Sequence, residues 1–432
     1  PPAVIYSRNN MLSRFRYLFV IIMFLQAVCL WAMPVSEKSD TVAIDDNLRI
    51  SLVTCYPGDK IYELFGHTAI RVQRSGSEAF DLAFNYGMFS FATGNFVYKF
   101  TAGQTDYMLG AYDFDDFMVD YVMRGSKVVE QELNLTPEGK QQLLNALILN
   151  ARPENRVYRY NFLFDNCATR PRDMVEQAVK SFGVVQYGEE HELPSFRTLI
   201  HRYADNYSWF MFGVDLALGH ELDRPASWRE QMFIPVLLEE AFREAKIVEI
   251  TDSIQTEVPL VCAEQVLFDP GSSPVLPPTP WYLTPLFVGL VLLLIALGVT
   301  YVDRQYRRVS LWFDSVFYGL CFLGSIVIYF LIFFSEHPTT DINYNALWLT
   351  PLSLIAATLP YVRSMRGVVR AYHVLNLVAI LLFLITAVFG IQHYNIGVYP
   401  LIATSALRSV NYIVLYRIST RTYKPSSLHR NE

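Results

Sequence analysis

Tyr160-Asn161-Phe162-Leu163-Phe164-Asp165-Asn166-Cys167-Ala168-Thr169-Arg170-Pro171-Arg172-Asp173 is the stretch whose reading decides the fold. An aromatic, strand-like run over 157–164 gives way to Asp165-Asn166, a helix-start pair. Met174, Val175, Ala178, Val179 and Phe182 then continue a stripe of helical period. Two readings of the helix start stay open. Asn166 as N-cap puts Cys167 in the first helical turn, whereas Pro171 as first helical residue leaves Cys167 on the preceding loop. In either case a thiol stands at a helix start, where thiolate is favoured, and Arg170 and Arg172 favour it further.

Working outward, Gly66-His67-Thr68-Ala69-Ile70-Arg71-Val72 reads as a strand with Thr68, Ile70 and Val72 on one face and His67, Ala69 and Arg71 on the other. A β-like run over 49–56 precedes it, with a short helix over 60–65 stopped by Gly66. Ser75-Gly76-Ser77 turns the chain into a return strand over 79–86, ended by Gly87. If His67 pairs with Asn85, Arg71 pairs with Asp81, and both polar side chains share the histidine's face. Asn85 is then the candidate to orient the imidazole. Asp81 is the second candidate, with a surface ion pair to Arg71 as its ordinary role. Helices are expected over 137–149 and through most of 187–245, so this part is α+β. A thiol and an imidazole on neighbouring elements are the parts of a thiol nucleophile site.

The chain has 432 residues, 52% of them hydrophobic, and a formal net charge of -6. The charge excludes a basic nucleic-acid footprint, and the apolar content points to membrane spans beside a globular part. Met11, Arg14 and Arg16 followed by an apolar run over 17–33 read as a signal peptide or signal anchor within 1–35. A catalytic domain is expected over 36–270, a Pro-rich linker over 271–281 (Pro274, Pro277, Pro278, Pro280), a bundle of about five membrane helices over 282–418 and a tail over 419–432. The five apolar segments lie near 282–302, 311–334, 345–362, 374–392 and 396–416; the third, with Pro351 and Pro360, can also be read as re-entrant. Arg304, Arg307 and Arg308, then Arg363, Arg366 and Arg370, then Arg417, Arg421 and Lys424 make alternate loops basic, which puts them in the cytoplasm and the large domain outside.

The remaining features are weaker. Cys55 and Cys262 can form a disulfide if the domain is exported. His191 and His201 read as solvated, His220 as part of a turn, and His337, His373 and His393 as residues at the membrane interface. Trp209-Phe210-Met211-Phe212 either dips toward lipid or packs in a core. No metal-ligand spacing or cofactor fingerprint is present, so no cofactor is expected.

The His67 strand, Phe84-Asn85-Tyr86-Gly87 and the Cys167 segment resemble the exported domain of the lipoprotein N-acyltransferases of Bacteroidota, over roughly residues 45–245, and the trailing spans match that layout. The resemblance implies a papain-like fold of the permuted NlpC class, related to lecithin retinol acyltransferase, on the periplasmic side of the inner membrane. It implies Cys167 as nucleophile and His67 as base, a phospholipid as acyl donor and a diacylated lipoprotein as acceptor. A membrane-tethered NlpC-like peptidase or amidase acting on cell-wall peptide, and a non-enzymatic receptor or scaffold, are the alternatives.

Overall fold

A computed structural model describes residues 47–89, 94–188, 192–251, 254–272 and 276–421. The expected signal segment, His191, Pro274 and the end of the tail lie outside them. The first half forms β1 (Leu48–Cys55), β2 (His67–Arg74), β3 (Phe80–Met88), α1 (Phe96–Thr101), β4 (Asp106–Asp113), α2 (Phe114–Met123), β5 (Val128–Leu133), α3 (Pro137–Ala151), β6 (Val157–Arg159) and α4 (Thr169–Val179). Then come β7 (Gly183–Gln186), α5 (Phe196–Ala204), α6 (Ser208–Ala217), α7 (Trp228–Gln231), α8 (Pro235–Glu244), β8 (Lys246–Thr251), β9 (Ile254–Pro259) and β10 (Val261–Phe268).

Seven antiparallel strands make the main sheet, in the order β10-β5-β1-β2-β3-β4-β6, and β7-β8-β9 form a second, small sheet. Strand alternation sorts the side chains to two faces. Ile50, Leu52, Ile70, Val72, Phe84 and Tyr86 pack with the Leu143, Leu144 and Leu147 stripe of α3 and with Val175 and Val179 of α4. Each fully buried leucine of that stripe contributes about 1.5–3 kcal/mol. Val53, Cys55, Ala69 and Ala83 face Phe114, Phe117 and Tyr121 of α2 on the other side. The sheet is therefore covered twice, with helices on both faces.

The hairpin register differs from the expected one. Arg71 pairs with Ala83 and Gln73 with Asp81, a slip of two residues. A slip of two keeps every side chain on its face, so His67 and Asn85 still share one. Cys55 and Cys262 cannot pair: Cys55 sits opposite Val128 at the start of β5, and the Cys262 thiol bonds the Glu132 carbonyl near its end.

Beyond the linker lie α9 (Pro285–Tyr306), α10 (Leu311–Phe334), α11 (Ser353–Thr358), α12 (Arg366–Val388) and α13 (Val398–Arg421). Among the described residues, four helices are long and apolar enough to cross a membrane. The third expected span is not one of them. It is broken into a 3-10 turn at Tyr344–Leu347, α11 and a second 3-10 turn at Leu359–Tyr361, as Pro351 and Pro360 dictate. The broken passage runs antiparallel along α10, with Tyr329 bonding the Ala346 carbonyl at one end and Ser315 bonding Tyr361 at the other.

Inside the bundle Arg408 is fully buried and holds Asp314 (2.5 Å), Asp303 (2.7 Å) and Thr300 (2.9 Å), which ties α9, α10 and α13 together. A charge in this setting survives because it is paired on all sides. His373 is buried in the bundle and bonds Ser409 at 3.0 Å.

The two halves are joined by polar contacts. His337 bonds the Phe100 carbonyl (2.6 Å), Ser335 the Thr101 carbonyl (3.0 Å), and the Glu336 N–H the Ala102 carbonyl (2.9 Å). The connection from β3 to β4, which leaves the sheet just past Gly87, is thus pinned to the C-terminal end of α10. Asn343 and Asn345 cap carbonyls near the end of α6. In the aromatic run 209–212, Met211 is buried in a core cluster and Phe212 packs against the cluster of the bundle, which is the core-packing reading. His201 bonds the buried carboxylate of Asp215 (3.1 Å), which raises its pKa, so it is not simply solvated.

Candidate active site

The Cys167 turn is built by Asn166. Its Oδ1 accepts the N–H groups of Ala168 (2.8 Å) and Thr169 (2.9 Å), and its Nδ2 donates to the carbonyls of Phe162 and Phe233 (both 2.8 Å). All four hydrogen-bonding positions of this 2%-exposed amide are filled. The helix start falls between the two expected positions. The helix begins at Thr169 with Ala168 as its N-cap, Asn166 holds the preceding turn, and Cys167 sits on that turn. Pro171 falls in the first turn, where its missing N–H is not needed.

Gly66, at φ +79°, aims the chain into β2. A Cβ there would lie 2.6 Å from the Cys55 carbonyl oxygen, so only glycine fits. His67 follows at once, and its Nε2 lies 2.5 Å from Asn85 Oδ1. Asn85 Nδ2 donates to the Tyr112 hydroxyl at 2.7 Å, so Oδ1 is the atom left to accept. Nε2 therefore carries the hydrogen, and Nδ1 keeps its lone pair as a base. Tyr121 stacks on the ring (centroids 6.2 Å, 21°).

Gly87, at φ +90°, brings Cys167 and His67 together. The Cβ it lacks would lie 3.3 Å from Cys167 Cβ, 3.7 Å from Tyr160 Cε2 and 3.9 Å from His67 Cε1. The three side chains surround one point, which glycine leaves open.

Asp81 is not brought to the imidazole. It takes the Arg71 fork (2.8 and 2.5 Å) and the Gln73 amide (3.0 Å), because the slipped register sets it opposite Gln73. The helix arginines do not serve the sulfur. Arg170 forks onto Asp165 and lies 3.5 Å from the Tyr158 ring centroid, and Arg172 is held by Asp173 and the Arg229 carbonyl. Two groups not expected from the sequence, at Thr68 and Tyr160, stand in their place beside the N–H of Cys167 itself. Burial pushes the Cys167 thiol up to about 11, and the N–H of Thr68, the thiol's own N–H and the Tyr160 hydroxyl pull against it. Tyr160 stands seven residues before Cys167, and that spacing is its only signal in the sequence. Burial pushes His67 down to about 4, the Asn85 bond opposes this, and the Arg124 cation adds to the fall.

The resting pair is thus a neutral thiol beside a neutral imidazole. Iodoacetamide is expected to alkylate Cys167 slowly near pH 7 and faster as the pH rises toward about 11, because the thiolate fraction grows in that direction. Peptide mass spectrometry reads the site; rapid alkylation at pH 5 would show a preformed thiolate instead.

Residues 39–202 match the family described as the Lnb N-terminal periplasmic domain, and residues 278–419 match the Lnb transmembrane domain. The chain belongs to the Lnb family. These are the lipoprotein N-acyltransferases of Bacteroidota. Lnb membership makes the first half a periplasmic domain carried on transmembrane helices, in a membrane-associated protein with an enzyme role in lipoprotein maturation. No curated protein and no solved structure matches the chain. Both Lnb matches include residues that join the halves, among them Phe100, Thr101, Ser335 and His337.

Proposed function

We propose that this chain transfers an acyl chain from a phospholipid, through a thioester on Cys167, to the N-terminal amine of a diacylated lipoprotein. The observation that carries the reading is the meeting of Cys167, His67 and Tyr160 around Gly87, in a domain pinned to a membrane bundle. A thiol at a helix start beside a strand histidine is also the arrangement expected of a papain-like site, with Asn85 as orienter.

His67 Nδ1 takes the proton of Cys167 as the sulfur attacks the ester carbonyl. The oxyanion forms beside the N–H groups of Cys167 and Thr68 and the Tyr160 hydroxyl. As the C–O bond breaks, the lysophospholipid oxygen takes the proton back from His67. The lipoprotein amine then attacks the thioester, gives its proton to His67, and the departing sulfur recovers it. The product is an N-acylated lipoprotein. Confinement of both lipid substrates to one plane raises their effective concentration at the site.

Tyr160→Phe is expected to lower the turnover rate about 10²-fold with little change in donor KM, because the hydroxyl bonds charge that exists only in the transition state. Steady-state kinetics check this; a rise in KM at unchanged turnover would assign Tyr160 to ground-state binding. The reading as a whole is tested in cells carrying wild type or Cys167→Ser, by mass spectrometry of lipoprotein N-termini. The third acyl chain is expected only with wild type. Unchanged lipoproteins with altered wall peptides would favour the peptidase alternative.

A further inference from the structure

The acyl-transfer reading accounts for the reacting ester but leaves the rest of the donor without a partner. Beside the imidazole lies a cation that the chemistry does not use. Arg124 follows the last residue of α2. Its guanidinium carbon is 4.2 Å from the centroid of Tyr121, the ring that stacks on His67, so the cation stands one ring away from the base. Its side chain is 21% exposed and so reachable from solvent. Its Nη1 lies 3.3 Å from Glu63 Oε1, and Lys60 Nζ reaches the same oxygen at 3.5 Å. Two cations therefore share one carboxylate, and positive charge is left over. The Nε of Arg124, shut off from solvent, has no hydrogen-bond partner among the described residues. Lys127 stands three residues on, at the start of β5, with its ammonium over the Tyr56 ring (5.0 Å).

We propose that Arg124, with Lys60 beside it, is the subsite for the phosphodiester of the donor lipid. This rests on the acyl-transfer reading and deepens it. In a glycerophospholipid the phosphate and the ester carbonyls hang from one glycerol. A carbonyl placed at Cys167 therefore carries an anion within a glycerol's length of the site. The planar fork of arginine suits two phosphate oxygens, and a low-dielectric wall of aromatic rings strengthens the contact. The acceptor brings an amine and a diacylglyceryl thioether to the reaction and has no phosphate there. The subsite consequently selects donor from acceptor and phospholipid from neutral lipid.

The full-length chain in detergent micelles is given phosphatidylglycerol or the matching diacylglycerol, and the acyl-Cys167 burst is read by intact mass. Wild type is expected to favour phosphatidylglycerol. In Arg124→Gln, and in the pair Glu63→Gln with Arg124→Gln that leaves no orphaned carboxylate, the ratio of the two rates is expected to fall about 10–100-fold. Arg124→Lys should keep part of the preference. Equal loss on both donors would make Arg124 a structural residue and overturn the subsite. A wild type indifferent to the phosphate overturns it too, even if the variants fail to fold, and leaves acyl transfer standing. A wild type acylated by neither donor would overturn the acyl-transfer reading first.

Discussion

Incubated with phospholipid and no acceptor, the purified wild-type chain is expected to gain the mass of one acyl chain on Cys167, and Cys167→Ala is expected to gain none. Without acceptor the thioester has only water to escape to, so it accumulates. Transfer to a diacylated lipoprotein is expected to fall by about 10⁴-fold or more in the variant, since removal of a nucleophile removes the covalent route altogether. No other described thiol can replace it. Cys55 is fully buried beneath α2, Cys321 lies in the bundle, and Cys262 is on β10 with its sulfur on the Glu132 carbonyl. The fold should survive, because the sulfur lies at an 8%-exposed position held by Asn166 rather than by its own packing. An acyl adduct that persists on Cys167→Ala and resists hydroxylamine would sink the thioester.

Gly87→Ala is expected to lower transfer about 10²-fold while the protein stays folded. Two effects act in one direction. A φ of +90° is strained for any residue with a Cβ, which costs about 1–3 kcal/mol. The methyl would also press on Cys167 Cβ at 3.3 Å while touching Tyr160 and His67. The neighbours must give by a few tenths of an ångström, and a nucleophile displaced from its base by that order of distance loses rate steeply. Transfer rate and thermal melting together check it. Full activity in a stable Gly87→Ala protein would show that the three side chains do not act around that point.

Much of this site is legible in the sequence. The turn around Cys167 and the Gly66-His67 strand start can be read from the sequence, because helix starts and strand alternation are local physics. The facing of His67 and Asn85 also follows from alternation, which survives a slip of two residues. The slip itself is not legible. The long β2–β3 turn does not fix which pairs align, and Asp81 therefore stands opposite Gln73 while keeping its expected ion pair with Arg71. Burial is not legible either. Arg170 and Arg172 look like partners for a thiolate in sequence, but Asp165 and Asp173, close by in the chain, hold them, and Asp173 takes Arg229 as well.

What the sequence determined by itself is the set of segments. It placed the strand-turn-helix around Cys167, the glycine-aimed histidine, and the apolar stretches with alternating basic loops, all of which depend on residues close in the chain. What only the tertiary structure decided is which distant groups share a site. Thr68, Tyr160 and Arg124 join it because of how the sheet opens at Gly87 and where α2 ends. The Arg408 network that binds the bundle follows the same rule, whereas the prolines that split the third span stand in the sequence itself. Long-range electrostatic and packing partners are chosen by folding, and hydropathy along a chain carries no record of them.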